Sequence, residues 1–251
     1  MRPKGFLKRG RRPGTRSLVV CAGDSITHGL MSADYVRMLQ QGLGDRGYEF
    51  VNAGWSGDLA YNLWARLDEI IACQPDVVTI LIGTNDAAAQ ISDEWMRGYQ
   101  RDQKPLEPLT LDYYRRMLTG IVDRLLTQTE ADIALLELPL LSEDPTNQVN
   151  QLVDDYNDVI HEVADEADVP VLLLREAMVK ALPPGHPAPW FDGSKKLMGS
   201  AFARHLVLRQ AWNTISDRYG LFLLTDQIHL NDRAARLIAD EISRHLAGID
   251  H

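Results

Sequence analysis

Four short stretches hold the residues that could do chemistry: "GDSITHG" at 23–29, "NAGWSGD" at 52–58, "IGTND" at 82–86 and "DQIHLND" at 226–232. A serine hydroxyl is a poor nucleophile until a base lies within hydrogen-bond reach. Ser25 can be that serine and His229 its base. Asp226, three residues before His229, can fold back onto the imidazole, fix its tautomer and stabilise its charged form. Acyl transfer also needs preorganised donors for the tetrahedral oxyanion. The backbone N–H groups of Ser25 and Gly54 and the Asn85 side-chain amide can supply three. Asp24 reads as a support, its carboxylate accepting local backbone N–H bonds.

Each residue has a plainer reading. Ser25 alone would be a helix cap, His229 a surface histidine and Asn85 a turn residue. His28, so close to Ser25, reads as facing solvent or the rim of the cleft, and Asp86 as a cap for its own loop. Asp226, His229 and Asp232 could ligate a metal, but no second histidine cluster converges on them. The chain has no glycine-rich phosphate loop and no dinucleotide fingerprint. No cofactor and no metal are therefore expected. Trp55 and Trp190 are the aromatic candidates for a substrate pocket wall, with core or interface packing as the alternative.

These stretches need elements to hold them. β-rich runs at 17–21, 48–52, 76–82, 132–138 and 169–174 alternate with amphipathic helical runs. "DVVTILIG" and "ADIALLELP" are nearly continuous apolar runs, as strands covered on both faces require. Apolar residues recur at helical spacing over 111–125, with Thr110 as N-cap, over 149–163, and over about 231–247. The alternation predicts one open, mostly parallel α/β sheet with right-handed crossovers. Such sheets collect chemistry beyond the carboxyl ends of their strands. The four polar stretches follow the first three strands and precede the last helix. Segments 87–108 and 181–218 depart from the alternation and read as insertions, the kind that builds lids and substrate walls.

With four blocks in this order, the sequence resembles the SGNH hydrolase superfamily, the GDSL-like lipases and acylhydrolases. The resemblance spans roughly 18–246. It implies a three-layer α/β/α fold with a flavodoxin-like sheet of five parallel strands. It makes Ser25 the nucleophile, His229 the base, Asp226 its partner, and Ser25, Gly54 and Asn85 the oxyanion hole. Two positions differ from the family pattern: Ile26 replaces the leucine after the serine, and Leu230 stands where many relatives have proline. The implied activity is ester cleavage through an acyl-enzyme on a small-molecule ester. Carbohydrate O-deacetylation or acyl transfer could use the same site. A binding protein on an inactive hydrolase fold is the reading from another class.

Charge bounds the partners. Residues 1–16 hold seven Lys/Arg and no acid, leaving 19 basic against 35 acidic side chains in the rest. An acidic body argues against nucleic-acid binding. The basic head reads as a flexible, solvated tail rather than a signal peptide, since only a short apolar run follows it. Residues 17–248 then form a single domain. No run is long enough for a membrane span, so stable membrane insertion is not expected. Cys21 and Cys73, in apolar surroundings, read as reduced thiols of a cytoplasmic protein. Pairing with a second copy of the chain stays open.

Overall fold

The computed structural model describes residues 1–191 and 195–249. Five strands form one parallel sheet: β1 (Ser17–Gly23), β2 (Tyr48–Gly54), β3 (Val77–Leu81), β4 (Asp132–Leu136) and β5 (Val171–Leu172). Their order is β2-β1-β3-β4-β5, all neighbours parallel. This is the flavodoxin-like order, with its switch point between β1 and β3. β1 and β3 are buried almost throughout, as a strand covered on both faces must be. β5 is shorter than its predicted span because Pro170 has no N–H to donate and Leu174 already starts a helix.

Helices cover both faces. α1 (Pro3–Arg9) precedes the sheet, and α2 (Ser25–His28) and α3 (Tyr35–Leu43) follow β1. After β2 come α4 (Ala60–Ala65) and α5 (Asp68–Ile71); after β3 come α6 (Thr84–Ala89), α7 (Asp93–Gln103) and α8 (Leu111–Gln128). Beyond β4 lie α9 (Gln148–Ala167), α10 (Leu174–Ala181), α11 (Lys196–Leu206), α12 (Trp212–Arg218) and α13 (Asp232–Ile249). On one side α3 and α13 pack together; on the other α8 packs against α4 and α9. The α8 face is Tyr114, Leu118, Ile121, Val122 and Leu125, at the predicted spacing and behind the predicted Thr110 cap. Each fully buried Leu or Ile contributes roughly 1.5–3 kcal/mol of transfer free energy, so these stripes fix how the helices sit on the sheet.

The basic head is not a flexible tail. Residues 3–9 are α1, and Phe6 is buried in the core. Arg9 and Arg12 pair with Glu49 of β2, and Arg11 pairs with Asp76. The Met1 carbonyl accepts the Asn52 N–H (2.8 Å), and Gln40 Oε1 accepts the Phe50 N–H (3.2 Å), along the outer edge of β2. Glu49, the one acid in β2, is what recruits Arg9 and Arg12. The segments expected as insertions carry α7 in the first case and α11 and α12 in the second; positions 192–194 of the second lie outside the described residues.

Candidate active site

Ser25 opens α2 directly beyond β1, where a strand-to-helix turn lifts its side chain out of the sheet edge. Asp24 caps that short helix, its Oδ1 accepting the Ile26 N–H (2.9 Å). Tightness behind the turn comes from glycine. A Cβ on Gly23 would lie 2.3 Å from the Leu81 carbonyl oxygen, so only glycine lets β1, β3 and α2 meet there.

His229 arrives from 204 residues downstream, with Nε2 3.0 Å from Ser25 Oγ. It stands on a hairpin whose arms pair at Leu224 and Leu230, with Thr225 N–H donating to the His229 carbonyl (2.7 Å). Asp226 at the tip is held by its own loop: Oδ1 accepts the N–H of Ile228 (3.1 Å) and of His229 (2.8 Å). Asp226 Oδ2 then lies 2.8 Å from His229 Nδ1. Nδ1 therefore carries the proton, and Nε2 is left bare to accept from the serine hydroxyl. All three side chains are buried. Between them Gln227 adopts a left-handed φ of 75°, and its Nε2 donates to the Pro189 carbonyl (3.1 Å). A non-glycine residue in that region is a strained conformation of the kind found at functional sites.

Electrostatics follow the geometry. Burial alone would lower the His229 pKa, but the Asp226 charge and hydrogen bond, with Asp24 adding to them, outweigh it and hold it above the ordinary 6.5. Burial pulls the Asp226 carboxyl up, yet the His229 charge and the two loop N–H bonds outweigh that and hold it below 3.8. Asp24 and Asp86 have no such cation at hydrogen-bond distance. Burial pushes each of them up to about 7.

Asp24 and Asp86 thus bind protons more tightly folded than unfolded. Their contribution to stability is complete below the unfolded value of 3.8 and is lost as pH rises through about 7. The urea midpoint of the wild type is expected to fall between about pH 5 and pH 8.5. Asp24→Asn, which keeps the acceptor for Ile26 N–H and cannot ionise, is expected to lose less over that range. An equal fall in both proteins would count against Asp24 as a source of the alkaline loss.

The oxyanion donors need one correction. Gly54 does not offer its N–H: that group donates to Asn52 Oδ1 (3.1 Å). A Cβ on Gly54 would lie 2.3 Å from His28 N and 2.6 Å from the Thr27 carbonyl carbon, so this glycine exists to let α2 lie against β2. Counting N–H groups along the turn finds the replacement. Trp55 N–H goes to the Gly23 carbonyl, Ser56 N–H to His28 Nδ1 and Asp58 N–H to the Trp55 carbonyl. Among the described residues Gly57 N–H has no acceptor, and its φ of +85° suits glycine. The next carbonyl, Asp58, accepts Asn85 Nδ2 (2.8 Å), which sets Gly57 beside Asn85. Ser25 N–H, at the start of α2, has no intrahelical acceptor by position.

Asn85 sits in α6 beyond β3, and Tyr99 of α7 donates to its Oδ1 (2.6 Å). This bond and the one to Asp58 settle which way the amide points and leave one Nδ2 proton for a ligand. Tyr99 escaped the sequence reading because it lies in an insertion with no block of its own. Against the expectation that Asp86 caps its own loop, its Oδ2 accepts the Ala60 N–H at the start of α4 (3.0 Å), tying α6 to the segment after β2. Arg66 ties the strand ends together, donating to the carbonyls of Ala53 (2.8 Å) and Gly23 (3.1 Å) and to Asp58 Oδ2 (2.7 Å).

His28 faces Ser56, with Nδ1 2.7 Å from Ser56 Oγ, and does not meet Ser25. Trp55 stacks on His28 and is exposed, and Trp190 is 82% exposed on the rim of a groove whose lining includes none of Ser25, Asn85, Asp226 and His229. Among the described residues no group of three or more His, Cys, Asp or Glu could hold a metal. No described helix is long and apolar enough to cross a membrane.

This geometry delivers a hydroxyl, a base with an oriented tautomer, and convergent N–H donors at the carboxyl ends of β1, β2 and β3. Comparison with known proteins bears on what it belongs to. The chain is 28% identical to an acetylxylan esterase of Geobacillus stearothermophilus over 173 residues, 62% of this chain and 74% of that one. The fold matches the crystal structure of the acetyl xylan esterase AlAXEase with a TM-score of 0.64 at 21% identity, covering 91% of this chain and 98% of that one. It matches Axe2, an acetylxylan esterase from Geobacillus stearothermophilus, with a TM-score of 0.63 at 21% identity, covering 93% and 95%. The GDSL-like Lipase/Acylhydrolase family matches residues 21–237. With that match covering most of its length, the chain belongs to the GDSL-like lipase/acylhydrolase family and is an ester hydrolase.

Proposed function

We propose that the protein cleaves carboxylic esters through an acyl-enzyme formed on Ser25. The observation that carries this reading is the continuous buried chain Ser25 Oγ–His229 Nε2 (3.0 Å) and His229 Nδ1–Asp226 Oδ2 (2.8 Å). Ser25 Oγ attacks the ester carbonyl carbon while its proton passes to His229 Nε2. Asp226 steadies the imidazolium without taking the proton. The oxyanion is held by Ser25 N–H, Gly57 N–H and Asn85 Nδ2. The tetrahedral adduct collapses, the alcohol leaves with the proton from His229, and the acyl group stays on Ser25. Water then attacks this ester, gives a proton to His229, and releases the carboxylic acid and the free serine.

A panel of aryl esters of increasing acyl length tests the reading. Turnover of at least the shortest esters is expected; no hydrolysis at any length would leave a binding protein on this fold as the better account. The base must be neutral to accept the serine proton, and its pKa is held above 6.5. The kcat/KM profile is therefore expected to rise with pH along a limb whose midpoint lies above 6.5. A profile flat from acid to neutral pH would remove His229 from the base role.

A second reading, O-deacetylation of a saccharide, is favoured by one surface. A groove of about 710 Å³ is lined by Trp190 and Phe191, by the polar Gln90, Asp144, Thr146, Asn147 and Gln148, and by the apolar Ile91, Val149 and Leu152. An aromatic face with amide and hydroxyl groups around it suits a neutral, hydroxyl-rich ring. Trp190 follows Pro189, whose carbonyl is bonded to Gln227 between Asp226 and His229, so the groove adjoins the catalytic loop. The acetylxylan esterases among the similar proteins point the same way. On this reading Trp190→Ala lowers kcat/KM about tenfold or more on acetylated xylo-oligosaccharides, with a clearly smaller loss on an aryl acetate. Equal losses on both substrates would take Trp190 out of alcohol recognition.

A further inference from the structure

Glu143 lies outside all four sequence blocks, yet it is among the most heavily bonded carboxylates in the molecule. Its side chain is fully buried. It accepts the N–H of Phe222 (2.7 Å to Oε2), of Leu223 (2.6 Å to Oε1) and of Leu224 (2.7 Å to Oε1). His186 Nε2 meets Oε2 at 2.6 Å. Three successive backbone N–H groups converging on one anion form a concave nest, here filled from within the chain.

That nest is the first arm of the hairpin that carries Asp226 and His229. Leu223 takes the Asn231 N–H (2.9 Å), Leu224 bridges Leu230, and Thr225 N–H reaches the His229 carbonyl (2.7 Å). The second arm has anchors of its own in Leu230 N–H to Ser32 Oγ (3.1 Å) and Asn231 Nδ2 to Ser216 Oγ (2.9 Å), and Asn231 Nδ2 also donates across to the Phe222 carbonyl of the first arm (2.7 Å). Among the described residues, Glu143 is the one hydrogen-bonding link from the 222–224 arm to the segment that follows β4. Its His186 contact brings the 181–191 part of the second insertion onto the same carboxylate.

We propose that Glu143 is the positioning residue of the catalytic loop, holding the 222–224 arm so that His229 Nε2 meets Ser25 Oγ, and that His186 latches the insertion to it. The proposal rests on the reading of Ser25 and His229 as nucleophile and base. Glu143 touches neither substrate nor reacting atoms; it acts through the hairpin. A misplacement of the base by about 1 Å is enough to cost on the order of a hundredfold.

Glu143→Gln keeps the shape but removes the charge and turns an NH₂ toward groups that are themselves donors. On a short aryl ester its kcat is expected to fall about 10- to 100-fold with KM changed about twofold at most. Loosening the Asp226–His229 contact removes what holds the His229 pKa up, so the limb of the kcat/KM profile moves to lower pH. Glu143→Asp keeps the charge but reaches one methylene less far; it is expected to show the same split with a smaller loss, and it carries the test if the glutamine variant does not fold. His186→Ala leaves the nest occupied and is expected to lose less than either. A wild-type kcat and an unmoved limb in the folded Glu143 variants, with only the melting temperature lowered, would overturn the positioning role. Activity that survived Ser25→Ala would strike the underlying reading instead, so the two failures are told apart by that control.

Discussion

Ser25→Ala is expected to lower kcat by roughly 10⁴-fold or more, with His229→Ala losing about as much and the double variant little more than either. Removing the hydroxyl deletes the atom that forms the new bond. Removing the imidazole takes away the one hydrogen-bond partner that Ser25 Oγ has among the described residues, and the nearby His28 is engaged with Ser56. The two act as one unit across 3.0 Å, and that is why their losses do not add. Ser25→Ala is expected to melt close to wild type, whereas the two variants without His229 leave the buried Asp226 carboxylate short of its imidazole partner and are expected to melt lower. Turnover, read with a short aryl ester against folded protein, decides the matter. An alanine variant at position 25 that kept turnover within tenfold of wild type would remove the acyl-enzyme.

Asn85→Ala is expected to cost about 10²–10³ in kcat, the range found when one side-chain donor of an oxyanion hole is removed. The amide is already held by Tyr99 on its oxygen (2.6 Å) and by the Asp58 carbonyl on its nitrogen (2.8 Å). No reorganisation is needed when charge develops on the substrate oxygen, and the benefit falls on the transition state more than on the bound ester. The loss should therefore appear in kcat with KM nearly unmoved. Tyr99→Phe keeps the ring and drops the bond, so it shows a weaker effect of the same kind. Asn85→Asp is the sharper variant: it preserves shape but, once ionised, sets a carboxylate against the oxyanion, and burial of the site raises the pH at which it becomes worse than alanine. Asn85→Ala with wild-type kcat would mean that the backbone donors alone hold the oxygen.

Much of this was legible before any coordinates. Continuous apolar runs betrayed strands covered on both faces, and the positions of Tyr114, Leu118 and Leu125 gave α8 its buried stripe. Ser25, Asn85, Asp226 and His229 announced themselves because each follows a strand or leads a helix in a compact polar block. Gly54 misled for a physical reason. Two glycines stand three residues apart in "GWSG", and sequence alone does not say which N–H is consumed by a neighbour. The Asn52 side chain consumes the first. Tyr99 and Glu143 are invisible in the sequence for another reason: each makes its contacts from an insertion or loop to residues far along the chain, with no periodicity and no local partner to mark it. The basic head was misjudged because its counter-charge, Glu49, lies on a strand 37 to 40 residues away from the arginines it binds.

The helix and arginines lying along β2 have a consequence for what the molecule must avoid. A parallel sheet has two outer strands whose unpaired N–H and C=O groups can template the addition of a foreign strand. This fold handles its two sides differently. On the β5 side the strand is only two residues long, too short to recruit a partner. β2 has seven residues with the sequence YEFVNAG, and among the described residues none pairs with its outer side as a strand. Met1, Gln40 and the α1 segment stand in for one, filling its donors and burying Phe6 beside it. The first residues of the described chain thus cap the outer edge of β2, with Arg9 and Arg12 tethered there by Glu49, and leave few of its donors open to a foreign strand.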